Sequence, residues 1–209
     1  MPTSRLNLGV AAVLWISAAI VFLLFEGLAA AAVQPSYSYA YGYISDLGVP
    51  AWSPRAALMN SSFWVQGVMF LAGAVLIATT AGRGRLFVLL TVINAVGNIA
   101  VAVAHGGSAL VVNGYAWLHV LGAILVFVAG NAAIVVGSWV VAPMVALKGY
   151  RAASIAIAVI GFACLATLSI TTSKAGLPSG IPERGTVYSI LTWQVLSGVV
   201  LLVRPVRTG

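Results

Sequence analysis

The chain alternates between long apolar runs and short polar breaks. From Leu8 to Val33 only Glu26 carries a charge, and comparable runs recur at about 57–81, 86–104, 115–141, 152–172 and 186–203. Most match the ~20 residues that a helix needs to cross the hydrocarbon core of a bilayer. The pattern predicts an all-α polytopic membrane protein: a six-transmembrane-helix bundle forming a single membrane domain over residues 1–209. The first run has Arg5 before it and small residues at Ala29 to Ala32, as a signal peptide would. Its apolar length exceeds the ~7–15 residues of a signal core, and Glu26 is foreign to one, so it reads as a retained helix.

Composition sharpens this picture. With 62% hydrophobic and 6% charged residues, the chain leaves no stretch for a soluble domain. The net charge of +7 does not point to nucleic acid, because the basic residues are scattered through short loops and form no stripe. They act as topology signals. Arg5, Arg83, Arg85, Lys148, Arg151, Arg204 and Arg207 fall at alternate breaks and both ends, against Arg55, Lys174 and Arg184 on the other side. That bias places both termini in the cytoplasm. Gly82 to Arg85 then forms a tight cytoplasmic hairpin, and Gly130 and Gly137 predict close helix packing. The single cysteine, Cys164, excludes an internal disulfide and reads as packing.

This topology gathers the ionisable chemistry on one side. Glu26, Asp46, Glu183, His105 and His119 all fall in or near the extracytoplasmic half. The longest polar connection, Tyr37 to Pro50, lies there too. Its tyrosines at 37, 39, 41 and 43 alternate with small residues, which in an extended chain puts four rings on one side. Gly48 and Pro50 suit a turn. The segment is either an interfacial aromatic belt or a lid carrying Ser45 and Asp46 into a site.

Single residues suggest what the site contains. A carboxylate within a span normally faces the bundle interior, so Glu26 is either functional or a clamp with Arg55 or Arg184. Asn94, Asn98 and His105 share one face of the third span at separations of four and seven. Glu183 suits a helix start, where an acid meets the positive end of the dipole, and Arg184 offers a fork for phosphate or carboxylate. Gln194 lies about two turns deeper. Asp46 is expected to be fixed by a partner, Arg55 or Arg184. Glu26 and Arg184 are expected to face one cavity beneath the tyrosine segment.

Three functions fit these residues. In the first, Glu26, Tyr39, Tyr43, Ser45, Asp46, Arg55, Asn98, His105, His119, Glu183, Arg184 and Gln194 form a pocket that binds or processes a lipid or lipid-linked headgroup, with the arginines meeting a phosphate. In the second, a metal-dependent hydrolase, His105, His119 and Asp46 with Glu26 or Glu183 hold an ion, for which zinc is the suitable choice. No cofactor is otherwise expected. In the third, the chain is a small transporter or an accessory subunit with a membrane-protein partner. An ion-coupled carrier usually shows repeats and midplane charges, and neither is present. In every case the bilayer is the partner common to all three, and nucleic acid is not one.

Several motifs carry a resemblance. Tyr43-Ile-Ser-Asp-Leu-Gly48, Ser53-Pro54, Asn60, Leu118-His119, Asn131 and Gly180-x-x-Glu183-Arg184 resemble the bacterial membrane family called domain of unknown function 998. The resemblance covers essentially the whole chain and implies a multi-pass protein of the bacterial plasma membrane. Members often carry a Phe-Pro-Thr-Asp-like turn after the third span, where this chain has Ala104-His105-Gly106-Gly107-Ser108. The family name implies no activity.

Overall fold

A computed structural model describes residues 2–145, 147–172 and 176–203. Lys174, Arg204 and Arg207, used above for topology, lie outside the described residues. The elements are α1 (Pro2–Ala30), a 3-10 turn (Ile44–Gly48), α2 (Ala56–Ala81), α3 (Arg85–Val103), the short α4 (Ala109–Val112), α5 (Trp117–Val141), α6 (Tyr150–Thr171) and α7 (Gly180–Val203). A second 3-10 turn, Ala142–Met144, extends α5. Six of these helices are long and apolar enough to cross a membrane. The protein is a polytopic helical bundle, as the hydropathy pattern requires.

Each long helix packs on its neighbours in sequence, and α7 returns to close the ring against α1. Short turns enforce this order. Gly82 and Gly84, at φ of +64° and +113°, turn the chain between α2 and α3 in the few residues available. Small residues then bring helices close. A methyl group at Gly137 would meet the rings of Phe87 and Trp193 at 2.7 Å, and one at Gly130 would meet Ile190 and Asn94. Gly97 and Gly122 face each other across the α3–α5 seam, where an added methyl would come within 2.6–2.9 Å of the opposite carbonyl.

Three helix ends differ from expectation, the first being the start of α1, at Pro2 rather than Leu8. The chain leaves α1 at Ala30 rather than Val33, and α7 begins at Gly180 rather than Thr186. The cause of the early start of α7 is local. Pro182 needs no N–H partner in a first turn. The Gly180 and Ile181 N–H groups are taken by the Ala40 carbonyl at 2.9 and 3.3 Å. The tyrosine segment thus caps α7, and Glu183 and Arg184 become helical residues.

The interior has two layers. Toward the end that holds the α2–α3 turn, Trp15, Phe70, Phe87 and Trp193 pack mostly edge to face, with centroids 5.2–6.5 Å apart. Trp15 donates Nε1–H to the Phe70 carbonyl at 3.1 Å. Toward the outer side, Phe22, Phe63, Ile44, Leu47 and Met59 form a second cluster. Between the layers Gln66 donates to Gln194 at 2.8 Å. The outer layer holds the polar groups considered next.

Candidate functional site

Arg184 is the most heavily bonded side chain of the outer half. Its Nε donates to Glu26 Oε1 at 2.9 Å. Nη1 donates to the carbonyls of Tyr39, Gly42 and Gly180 at 2.9, 2.9 and 3.2 Å, and Nη2 to the Tyr37 hydroxyl at 2.7 Å. The Tyr37 and Tyr39 rings lie 5.4 and 4.7 Å from the guanidinium carbon. Glu26 takes a second donor, Tyr188 O–H, at 2.8 Å. The pairing of Glu26 with Arg184 therefore stands, and it carries the additional hydrogen bonds that a buried ion pair needs.

Several expectations about this region are corrected. Glu26 and Arg184 do not line the cavity described below; they form a closed clamp among α1, α7 and the loop. The clamp leaves no free fork for a phosphate. The four tyrosines do not share one side, because the Gly42 N–H bonds to the Ser38 carbonyl at 2.8 Å and folds the segment into a turn. Tyr37 and Tyr39 flank Arg184, Tyr41 is exposed, and Tyr43 packs on the outer apolar cluster. Burial raises the Tyr37 phenol well above its ordinary range, which keeps it a neutral donor and acceptor. Tyr39 is raised for the same reason.

Asp46 is fixed, but not by an arginine. Its Oδ2 accepts the Tyr43 N–H at 2.8 Å and so closes the start of the 3-10 turn. Burial holds its carboxyl above the ordinary value, against the pull of that N–H and of the His119 and Arg184 charges. Arg55 is exposed and reaches only the Leu28 carbonyl, at 3.4 Å. Gly48 does not have positive φ; it is glycine because Asn60 lies against it. Asn60 donates to the Gly48 carbonyl at 2.8 Å, and a methyl group there would strike the Asn60 amide.

Beneath the 3-10 turn lies a cavity of about 30 Å³. That is room for about one or two water molecules. Its polar lining comes from Ser45, Gln66, Asn94, Asn98, His119 and Glu183, its remaining walls from residues such as Phe22, Phe63 and Phe127. Glu183 is 6% exposed and accepts the Ile44 N–H at 2.6 Å, which ties the turn to α7. Asn94 donates to the Val126 carbonyl at 3.0 Å, and Asn98 to the Asn94 oxygens. Gln66 is 4% exposed, and its Oε1 has no partner; the buried Nδ1 of His119 has none either. Buried polar atoms are rarely left so.

Glu183 is the acid of the cavity wall, while Asp46 is held by the Tyr43 N–H and Glu26 by Arg184 and Tyr188.

Of the residues singled out from sequence, Ser45, Asn94, Asn98, His119 and Glu183 come together at the cavity. Gln194 sits against Gln66 but is not part of the wall. His105 lies in the turn after α3, with its Nδ1 3.0 Å from the Gly106 carbonyl, and does not reach the cavity. Among the described residues no three or more His, Cys, Asp or Glu side chains are grouped to hold a metal, so His105, His119 and Asp46 form no such set. Asn131 ties α5 to α7, donating to Thr186 O at 3.2 Å and accepting from Ser189 at 2.6 Å. Sequence reasoning missed Gln66 and Tyr188. A second amide in α2, six residues after Asn60, was the signal for the first, and a hydroxyl four residues after Arg184 for the second.

The fold and the site together define a six-span helical membrane protein, one half of which encloses a small chamber with polar groups in its wall. The chain belongs to the family described as "Protein of unknown function (DUF998)", whose model matches residues 10–200. Neither a curated protein nor a solved structure matches it.

Proposed function

We propose that the outer chamber binds the head of an amphiphile, and that this head is a small hydrogen-bond donor, an ammonium or a hydroxyl, rather than a phosphate. The observation that carries the reading is a buried Glu183 carboxylate lining the same wall as Gln66 and His119, whose Oε1 and Nδ1 atoms have no partner. A carboxylate held at membrane depth calls for a positive or donating partner. Arg184 is consumed by Glu26 and the loop carbonyls, so it is not that partner. A space of about 30 Å³ suits a small head, and among the described residues no free cation lines it to meet a phosphate. The apolar remainder of the wall suits the carbon next to such a group.

The test uses three amphiphiles that share one chain: dodecylamine, dodecanol and dodecyl phosphate. They are titrated against the purified protein in lipid nanodiscs, with thermal unfolding as the readout. A ligand at about 100 times its Kd adds roughly 2.7 kcal/mol of stability. Dodecylamine is expected to raise the unfolding temperature most, dodecanol less, and dodecyl phosphate not at all. A phosphate that stabilises as well as the amine contradicts the proposal.

A further inference from the structure

We infer that the groove between α1 and α7 holds the alkyl chain of the same amphiphile, with Leu191 as the partition between chain and head; this rests on the head reading above. The groove has a volume of about 320 Å³ and is lined by Ala19 and Leu23 of α1 and by Tyr188, Leu191, Thr192 and Val195 of α7. The α7 positions follow the spacing i, i+3, i+4 and i+7, which marks one continuous stripe of the helix. Ala19 and Leu23 are one turn apart on the facing helix. The small Ala19 deepens the seam.

Three observations commit the groove to a chain that belongs to the chamber's ligand. First, Leu191, only 3% exposed, lines both the groove and the chamber, so the two spaces share a wall at this side chain. Second, the groove lies within spans and its walls are aliphatic apart from Thr192 and Tyr188, which matches hydrocarbon. Third, its outer end is closed by a polar group. The Tyr188 hydroxyl is held by Glu26 at 2.8 Å, and this marks the depth at which a chain gives way to a head. From Tyr188 to Val195 the stripe runs seven residues, or about 10 Å along the helix. A leucine can change rotamer without moving the backbone, so joining the two spaces requires Leu191 to swing aside.

The test separates head from chain. Dodecylamine and methylamine are titrated against wild-type protein, Thr192→Trp and Leu191→Ala in nanodiscs. Thr192 is exposed, so an indole there fills the groove without entering the core. Thr192→Trp is expected to weaken dodecylamine binding at least tenfold, or about 1.4 kcal/mol, and to leave methylamine unchanged. Leu191→Ala is expected to strengthen dodecylamine binding by opening the partition. Val195→Phe, on another exposed rim position, serves if the tryptophan variant does not fold. Dodecylamine binding that Thr192→Trp or Val195→Phe leaves intact overturns the groove assignment while the head reading survives. Failure of both amines to bind wild-type protein overturns the head reading, and the groove assignment with it.

Discussion

Glu183 and Arg184 are adjacent in sequence, yet they serve two different regions. Arg184 turns toward α1 and the tyrosine loop, where each of its nitrogens has an acceptor and two aromatic rings lie against it. Glu183 turns toward the chamber, where Ile44 N–H donates to it and neighbouring polar atoms lack partners. One network is complete and closed, the other incomplete and hollow. A complete network of buried charges holds a fold together, since removing any member strands the rest. An incomplete one at membrane depth is costly without a ligand. The contrast assigns fold to the Glu26–Arg184 clamp and binding to the Glu183 chamber.

The largest effect that can break this comparison is Arg184→Ala. It strands Glu26 as an uncompensated buried charge and releases the loop carbonyls, at a cost of about 3–5 kcal/mol. Thermal unfolding in detergent measures it. Replacing both partners, Glu26→Gln with Arg184→Gln, is expected to recover part of the loss, because no bare charge then remains. An Arg184→Ala protein as stable as wild type would dissolve the clamp.

A smaller effect is expected on the chamber side. Gly48→Ala drives a methyl group into Asn60 and is expected to cost about 1–3 kcal/mol as overpacking. The loss should be seen first as faster hydrogen exchange in the 3-10 turn, while the tyrosine half of the segment stays protected by Arg184. Equal loosening of both halves would show that clamp and lid are one unit.

The smallest effect concerns pH. Burial raises the Asp46 carboxyl, so the folded lid holds its proton more tightly than the open chain does. The stability this contributes is complete below the ordinary carboxylate range and is lost as pH rises through the raised folded value. Asp46→Asn is expected to flatten that decline above the ordinary carboxylate range. Unfolding temperatures that fall as steeply in the variant would remove Asp46 as the cause.

The spans were legible because hydrocarbon must be matched by length, and six apolar runs became six long helices. The Glu26–Arg184 pair was legible for a related reason: a buried acid must find a donor, and few existed on its side. What stayed hidden was direction. The period of two in the tyrosine run promised four rings on one side, but small residues between them also permit a turn. The Arg184 guanidinium then gathers the Tyr39 and Gly42 carbonyls. The start of α7 was placed six residues late because its cap, the Ala40 carbonyl, comes from a segment far away in sequence. Gln66 escaped notice because an amide in a long apolar run has no partner visible in sequence; Gln194 lies 128 positions away.

The most direct test of the division between clamp and chamber compares Glu26→Gln with Glu183→Gln in one experiment. Each removes a buried carboxylate and keeps its shape. Unfolding temperatures are recorded with and without dodecylamine. Glu183→Gln is predicted to stay within about 1 kcal/mol of wild type, since the amide oxygen still accepts the Ile44 N–H, and to lose the amine-induced rise. Glu26→Gln is predicted to lose about 3 kcal/mol or more, by leaving Arg184 buried without its counter-charge, and to keep the rise. The reverse outcome, a Glu183→Gln protein that unfolds easily beside a Glu26→Gln protein that is stable but unresponsive to amine, contradicts the account.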